Sequence, residues 1–354
     1  MRGSEYIRWA KSRERFRYNL GRSSIRPCPP GDLAAGPEDF AICGDNAHGW
    51  DPLRHTLAKR YGVDSDRVVL AIGTSMANHL ACAAVLEQPG HVLVESPCYE
   101  PLAALPAYFG AEVESFPRHR GAQWALDVEE IAQRVRPGLT RLVILSDLHN
   151  PTGQRATSGS LEELARLAEE CDFRVLVDEV YLEFTDDRRI AAKRSERFIS
   201  TCSLTKAYGL DGLRAGWIIA SRDLADELRG LNDLFGIIMP HPSERLAARA
   251  FERLDTITSR VRGLVTANRV LAADLVARRA ELDWVVPEIG PVGFVRLARG
   301  RVGDLIALLE RDYDTTAPPG SFFGADDYFR LAFGMEHDDL VAGLNHLEAA
   351  LDRL

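Results

Sequence analysis

The stretch "SLTKAYGLDGLRAGW", residues 203–217, sets one lysine, Lys206, among hydroxyl-bearing residues and glycines, with Arg214 eight positions on. A lysine in a loop is usually a solvated cation. Its flanks argue for more. "RFISTCS" (197–203) and "AGWIIA" (215–220) both read as apolar strands, which puts Lys206 just past a strand's carboxyl end.

The same texture continues outward. "RVVLAI" (67–72), "HVLVES" (91–96), "AEVESF" (111–116), "RLVILS" (141–146) and "FRVLVD" (173–178) are short apolar or β-branched runs. Helical patterns separate them: "SMANHLACAAVLEQ", closed by Pro89-Gly90, then stretches near 99–109, 127–135 and 158–171. Near-continuous apolar strands alternating with helices predict an α/β fold with a largely parallel sheet covered on both faces. In such sheets ligands bind beyond the carboxyl ends of the strands. That rule selects residues 73–75, 97–99, 150–153, 178–181 and 203–206, all polar or chemically special.

Past residue 240 the pattern changes. A helical stretch near 243–282 precedes "GFVRLA" (293–298), a helix near 302–311, "YFRLAFG" (328–334) and a closing helix. We expect an N-terminal arm at 1–45 that helps complete a small α+β domain at 241–354, with a large domain at 46–240. The opening "MRGSEYIRWAKSRERFRYNL" is charged and amphipathic, with no apolar core of a secretory signal. It reads as an arm helix packing on the body or on a partner subunit.

Bulk composition narrows the function. The 354 residues carry 43 Lys plus Arg against 52 Asp plus Glu, a formal charge of −9, which disfavours a general nucleic-acid binder. No apolar run approaches membrane-spanning length. Six cysteines without a CxxC pair or clustering with histidine read as reduced thiols in a cytoplasmic protein, with no metal site.

The strand ends carry the chemistry. "GTS" (73–75) runs from strand to helix, aiming the Thr74 and Ser75 hydroxyls and backbone N–H groups at an anion. "HNPTG" (149–153) is a turn initiated by Asn-Pro, with Gly153 permitting positive φ. "DEVY" (178–181) ends a strand with an acid. Singly each has a bland reading: a solvated strand end for Asp178, a structural ion pair for Arg330, a core or rim aromatic for Tyr99.

In their order, however, GTS, the Pro-Cys-Tyr of "SPCYEP", NPTG, DEVY, "SLTK" with Arg214, and the late Phe-Arg of "YFRLAFG" resemble the pyridoxal-phosphate enzymes of fold type I, the class I/II aminotransferases, over about residues 40–335. The resemblance implies pyridoxal 5'-phosphate (PLP) held by Lys206 as a Schiff base, with the freed amine moving a proton. It implies phosphate ligands at Thr74, Ser75, Ser203 and Arg214, with Gly73 among the cofactor-binding residues. Asp178 would pair with the pyridine nitrogen, Asn150 and Tyr181 with the ring oxygen, and Tyr99 would stack on the ring. Arg330, with Asn150, would hold the substrate carboxylate. Lys206, Asp178 and Tyr181 are thus the expected catalytic residues.

A homodimer, an L-amino acid donor and a 2-oxo acid acceptor are also implied. The rival is another reaction at the α-carbon, such as elimination at a C–S bond. The sequence also departs from the family pattern. "CGDNAHGWDPLR" (43–54) lacks the tyrosine that relatives extend to the other subunit's phosphate, leaving Asn46 or His48 as stand-ins or as plain loop residues. Arg22 reads either as a side-chain carboxylate binder or as a solvated arm residue. His149 reads as a packed or hydrogen-bonded turn residue.

Overall fold

The computed structural model describes residues 3–88, 90–185, 189–287 and 289–354. The expected helix stop at Pro89 lies outside the described residues. Seven strands form the central sheet: β1 (Val68–Ile72), β2 (His91–Ser96), β3 (Glu112–Pro117), β4 (Thr140–Ser146), β5 (Arg174–Asp178), β6 (Phe198–Ser203) and β7 (Ala215–Ile219). Their order is β1-β7-β6-β5-β4-β2-β3, and only β7 runs antiparallel to its neighbours. All seven strands follow the runs read from sequence.

Residue alternation within the strands feeds two helical layers. Val92, Val94, Leu142, Ile144 and Leu176 pack on one face against α3 (Gly73–Val85), α4 (Glu100–Tyr108) and α6 (Arg222–Phe235), through Leu80, Leu102 and Leu228. Leu93, Val143, Leu145, Val175 and Val177 face the other way, onto Leu161, Leu164 and Ala168 of α5 (Ser158–Glu170). Each such buried leucine contributes about 1.5–3 kcal/mol, so a slip of one residue in any strand would forfeit several. Ahead of this set in the chain come α1 (Glu5–Ser12), the arm, and α2 (Asp51–Tyr61), with a single helical turn at Pro30–Leu33 between them.

A second, antiparallel sheet of three strands, β8 (Leu282–Trp284), β9 (Val292–Leu297) and β10 (Tyr328–Ala332), has the order β10-β9-β8. Around it lie α8 (Leu254–Arg278), α9 (Val302–Asp312) and α10 (His337–Leu351), whereas α7 (His241–Glu252) packs on α2 and on β7 of the large sheet. The helix expected over 243–282 is thus two helices. The chain leaves helical geometry at Arg253 (φ −108°, ψ 12°), where no proline or glycine marks the break in the sequence. Strand β8 lies at the end of that same stretch; at three residues it is too short to show a period.

Two glycines press the start of α3 onto the sheet. Gly73 has φ +73°, which lets the chain turn from β1 directly into the helix. Gly216 lies opposite Ala71 in β7, and a Cβ there would stand 2.5 Å from the Gly73 carbonyl carbon. Residues 25–28 strap the Lys206 loop from outside: the Ile25 N–H donates to the Lys206 carbonyl at 3.3 Å and the Cys28 N–H to the Gly209 carbonyl at 2.8 Å.

Candidate active site

Beyond the carboxyl ends of the strands lie two cavities that share Lys206 and Tyr99. The smaller, about 180 Å3, is lined by Thr74, Ser75, Tyr99, Asn150, Asp178, Tyr181, Ser203, Lys206 and Arg214. Every residue expected to hold the cofactor thus faces one space except Gly73. Gly73 sits behind Thr74, so close to Arg214 that an added Cβ would meet its Nη2 at 2.5 Å. The larger cavity, about 430 Å3, runs from Lys206 to the N-terminal segment and is lined by Tyr6, Trp9, Gly21, Arg22 and Ser23, among others.

Lys206 is half-buried, and its Nζ donates to Ser23 Oγ at 3.0 Å and Ser24 Oγ at 3.4 Å. Burial pulls the amine down to about 8, the Arg330 charge adding to the fall while Asp178 opposes it. A neutral amine is therefore within reach near physiological pH, which a nucleophile or proton carrier requires.

Asp178 ends β5 between Ser146 of β4 and Thr201 of β6. Its Oδ2 accepts from Asn78 Nδ2 at 3.0 Å and its Oδ1 from the Val180 N–H at 3.3 Å. Asn78 is held in turn by the Thr201 hydroxyl, which donates to its Oδ1 at 2.6 Å. Burial raises the Asp178 carboxyl above the usual range, and the Asn78 bond, the Val180 N–H and the Lys206 charge resist it. A cation brought into the cavity beside this carboxylate would complete its neutralisation.

At the other end of the cavity the donors converge. Thr74 Oγ1 is buried without a hydrogen-bond partner among the described residues. Ser75 and Arg214 stand exposed, Arg214 held at φ +52°, a left-handed conformation that a non-glycine residue adopts at a cost. An orphaned hydroxyl, a helix N-terminus opened by a glycine and a guanidinium in one small space suit a phosphate. A flat ring between that end and Asp178 would meet Tyr99 and Val180. The residues present fit PLP.

Tyr181 is buried and donates to the Ser23 carbonyl at 3.4 Å; burial pushes its hydroxyl up to about 12. Asn150 Oδ1 accepts from Arg330 Nη1 at 2.9 Å. Arg330 itself lines neither cavity: it is 0% exposed, reached only through its partners. His149 is fully buried, its Nε2 donating to the Pro97 carbonyl at 2.7 Å and its Nδ1 accepting from Thr152 Oγ1 at 2.6 Å, and burial holds it neutral.

Asn46 is consumed locally, donating to Glu244 at 2.7 Å and to the Met239 carbonyl at 3.2 Å, whereas His48 is exposed. Arg22 is exposed on the rim of the larger cavity. Sequence reasoning missed Asn78, Ser146 and Tyr6. Asn78 alone carried a signal, lying four residues after Thr74 and so on the same helix face.

A buried chain of charges supports the site from behind. Glu95, at 0% exposure, accepts from the Ser146 N–H and hydroxyl, both at 2.7 Å, and pairs with Arg118 at 2.8 Å. Ser146 Oγ accepts from the Asn150 N–H at 3.0 Å, so this pair fixes the backbone from which Asn150 projects. Burial raises the Glu95 carboxyl to about 6 despite Arg118.

Residues 37–347 match the family described as Aminotransferase class I and II. Capreomycidine synthase of Streptomyces vinaceus is 31% identical over 92% of this chain and 86% of its own length. Histidinol-phosphate aminotransferase 2 of Archaeoglobus fulgidus is 28% identical over 81% of this chain and 79% of its own. Among solved structures, a PLP-dependent aminotransferase from Streptococcus suis superposes with a TM-score of 0.92 at 26% identity, covering 98% of this chain and 96% of that one. The PLP-dependent cyclase OrfR superposes at 0.85 with 26% identity, over 95% and 94%. The chain belongs to the class I and II aminotransferases, and its cofactor is pyridoxal 5'-phosphate.

Proposed function

We propose that this enzyme moves an amino group from an L-amino acid to a 2-oxo acid, with PLP held on Lys206. The observation that carries the reading is the position of the Lys206 amine, shared by a cavity with phosphate and pyridine partners and a larger one open to a substrate. Bound there, the cofactor supplies an electron sink for the charge that develops at the substrate α-carbon.

The chain's own residues do the rest. Thr74, Ser75, Ser203 and Arg214 bind the phosphate, and Gly73 opens the helix that presents the first two. Asp178, steadied by Asn78, keeps the ring nitrogen protonated, and Asn150 and Tyr181 serve the ring oxygen. Tyr99 covers the ring. Lys206, its amine lowered to about 8, holds and returns the proton at the α-carbon. Arg330 and Asn150 orient the substrate carboxylate. On this reading the cofactor domain spans 46–240, and the small domain 241–354 is completed by the arm at 1–45.

Two of the similar proteins are named a synthase and a cyclase, which favours a second reading, another reaction at the α-carbon such as β-elimination. Single amino acids incubated with the holoenzyme separate the two. Transamination yields a 2-oxo acid while the enzyme retains the amino group; elimination releases free ammonia.

We also propose a homodimer. Phe40, Ile42, Leu234, Phe235 and Ile237 are exposed, and Ser75 and Arg214 are open at the phosphate end, where a second copy can cover them. Light scattering that returns a monomer mass would refute the dimer. Six free cysteines support a reducing, cytoplasmic setting.

A further inference from the structure

Arg330, assigned above to the substrate carboxylate, is sealed. Its Nη1 donates to Asn150 Oδ1 at 2.9 Å, and its Nη2 donates to the Tyr6 hydroxyl at 2.6 Å and the Gly21 carbonyl at 2.8 Å. Its Nε is buried and unpartnered among the described residues. Two of the three acceptors are built into the frame: Gly21 by its backbone, Asn150 through Ser146 and Glu95. Tyr6 is different. It belongs to the eight-residue arm helix α1, which follows the Ser4–Glu100 hydrogen bond and is pinned further by the Glu5 N–H on Glu100 at 3.2 Å.

Tyr6 also faces the larger cavity, where a substrate would enter. Its ring lies 5.4 Å from the Arg330 guanidinium carbon and stands edge-on to Tyr99 at 5.6 Å between centroids. One side chain on a separate element therefore touches both the buried cation and the aromatic that covers the cofactor space.

We infer that the Tyr6 hydroxyl is a placeholder for the substrate carboxylate on Arg330, and that binding exchanges one for the other. The Gly21 carbonyl and Asn150 stay on the guanidinium. Without the Tyr6 hydroxyl, however, the buried Nη2 would lose one of its two acceptors, so the free enzyme is stabilised by an occupant at that position. A phenol satisfies the donor as a neutral acceptor. A carboxylate oxygen makes a stronger, charge-assisted bond and displaces it. Tyr6 thereby competes with the substrate and sets how tightly a carboxylate is held. The inference rests on Arg330 as the carboxylate site, and the test keeps the two apart.

The holoenzyme is titrated with propionate, following the absorbance of the bound cofactor, to obtain a dissociation constant. Tyr6→Phe removes the competing oxygen and keeps the ring; it should bind propionate several-fold more tightly than wild type. Ser4→Ala, which loosens the arm on Glu100 and leaves Tyr6 intact, should move the constant in the same direction. Arg330→Lys should weaken binding. An unchanged constant in both Tyr6→Phe and Ser4→Ala overturns the exchange, and weaker binding in Tyr6→Phe overturns it too, since the hydroxyl would then be a ligand. If Arg330→Lys binds as wild type does, the assignment of Arg330 itself is wrong.

Discussion

Replacing Lys206 by methionine in the cofactor-free protein should leave a pH-dependent signature in stability. Burial lowers the amine from its ordinary 10.5 to about 8, which corresponds to a penalty of about 3 kcal/mol for the charged form in the fold. Below pH 8 the amine is protonated in both folded and unfolded chains, and the full penalty is present. Between pH 8 and 10.5 the unfolded chain holds a proton that the folded one has shed, so wild-type stability climbs with pH. Methionine has no such climb. It also loses the bonds to Ser23 and Ser24, which adds a roughly constant offset of about 1–2 kcal/mol against the variant. Urea unfolding of both proteins at pH 7 and pH 10 gives the difference at each value. The variant should fare better relative to wild type at pH 7 than at pH 10, by about 2–3 kcal/mol. A difference that is the same at both values would refute the claim that the fold destabilises the lysine charge.

Other consequences are as direct. Arg214→Gln removes a charge-assisted phosphate contact worth about 1.5–3 kcal/mol and should weaken PLP binding by about 10- to 100-fold in a fluorescence titration, while Thr74→Ala should cost about fivefold. Equal affinity in both variants would contradict the phosphate assignment. Glu95→Ala strands the Arg118 charge at 0% side-chain exposure and should destabilise by about 3–5 kcal/mol in thermal or urea unfolding. A shift under about 1 kcal/mol would mean that the pair does not support the Asn150 segment.

The sheet was legible because it is buried on both faces. Runs such as "RLVILS" can only be apolar where helices cover both sides, and the chemistry sits where such runs end. Thr74, Asp178 and Lys206 each follow a run of that kind. What stayed hidden depends on topology rather than on local pattern. Tyr6 lies 324 positions from the arginine it touches, and Glu95 reaches Ser146 across 51 positions. Nothing in "SEYIRW" or "HVLVES" marks those meetings. The break at Arg253 was equally silent, since an apolar period survives a change of helix axis when no proline or glycine interrupts it. The departure at residues 43–54 was visible, but that Asn46 is bound to Glu244 could come only from the fold.

The covalent attachment point tests the account most directly. Holoenzyme treated with borohydride, digested and analysed by mass spectrometry should show the pyridoxyl mass on the peptide containing Lys206, and Lys206→Ala should show none. A label on another lysine, or an unlabelled Lys206 in protein that has bound stoichiometric cofactor, would contradict it.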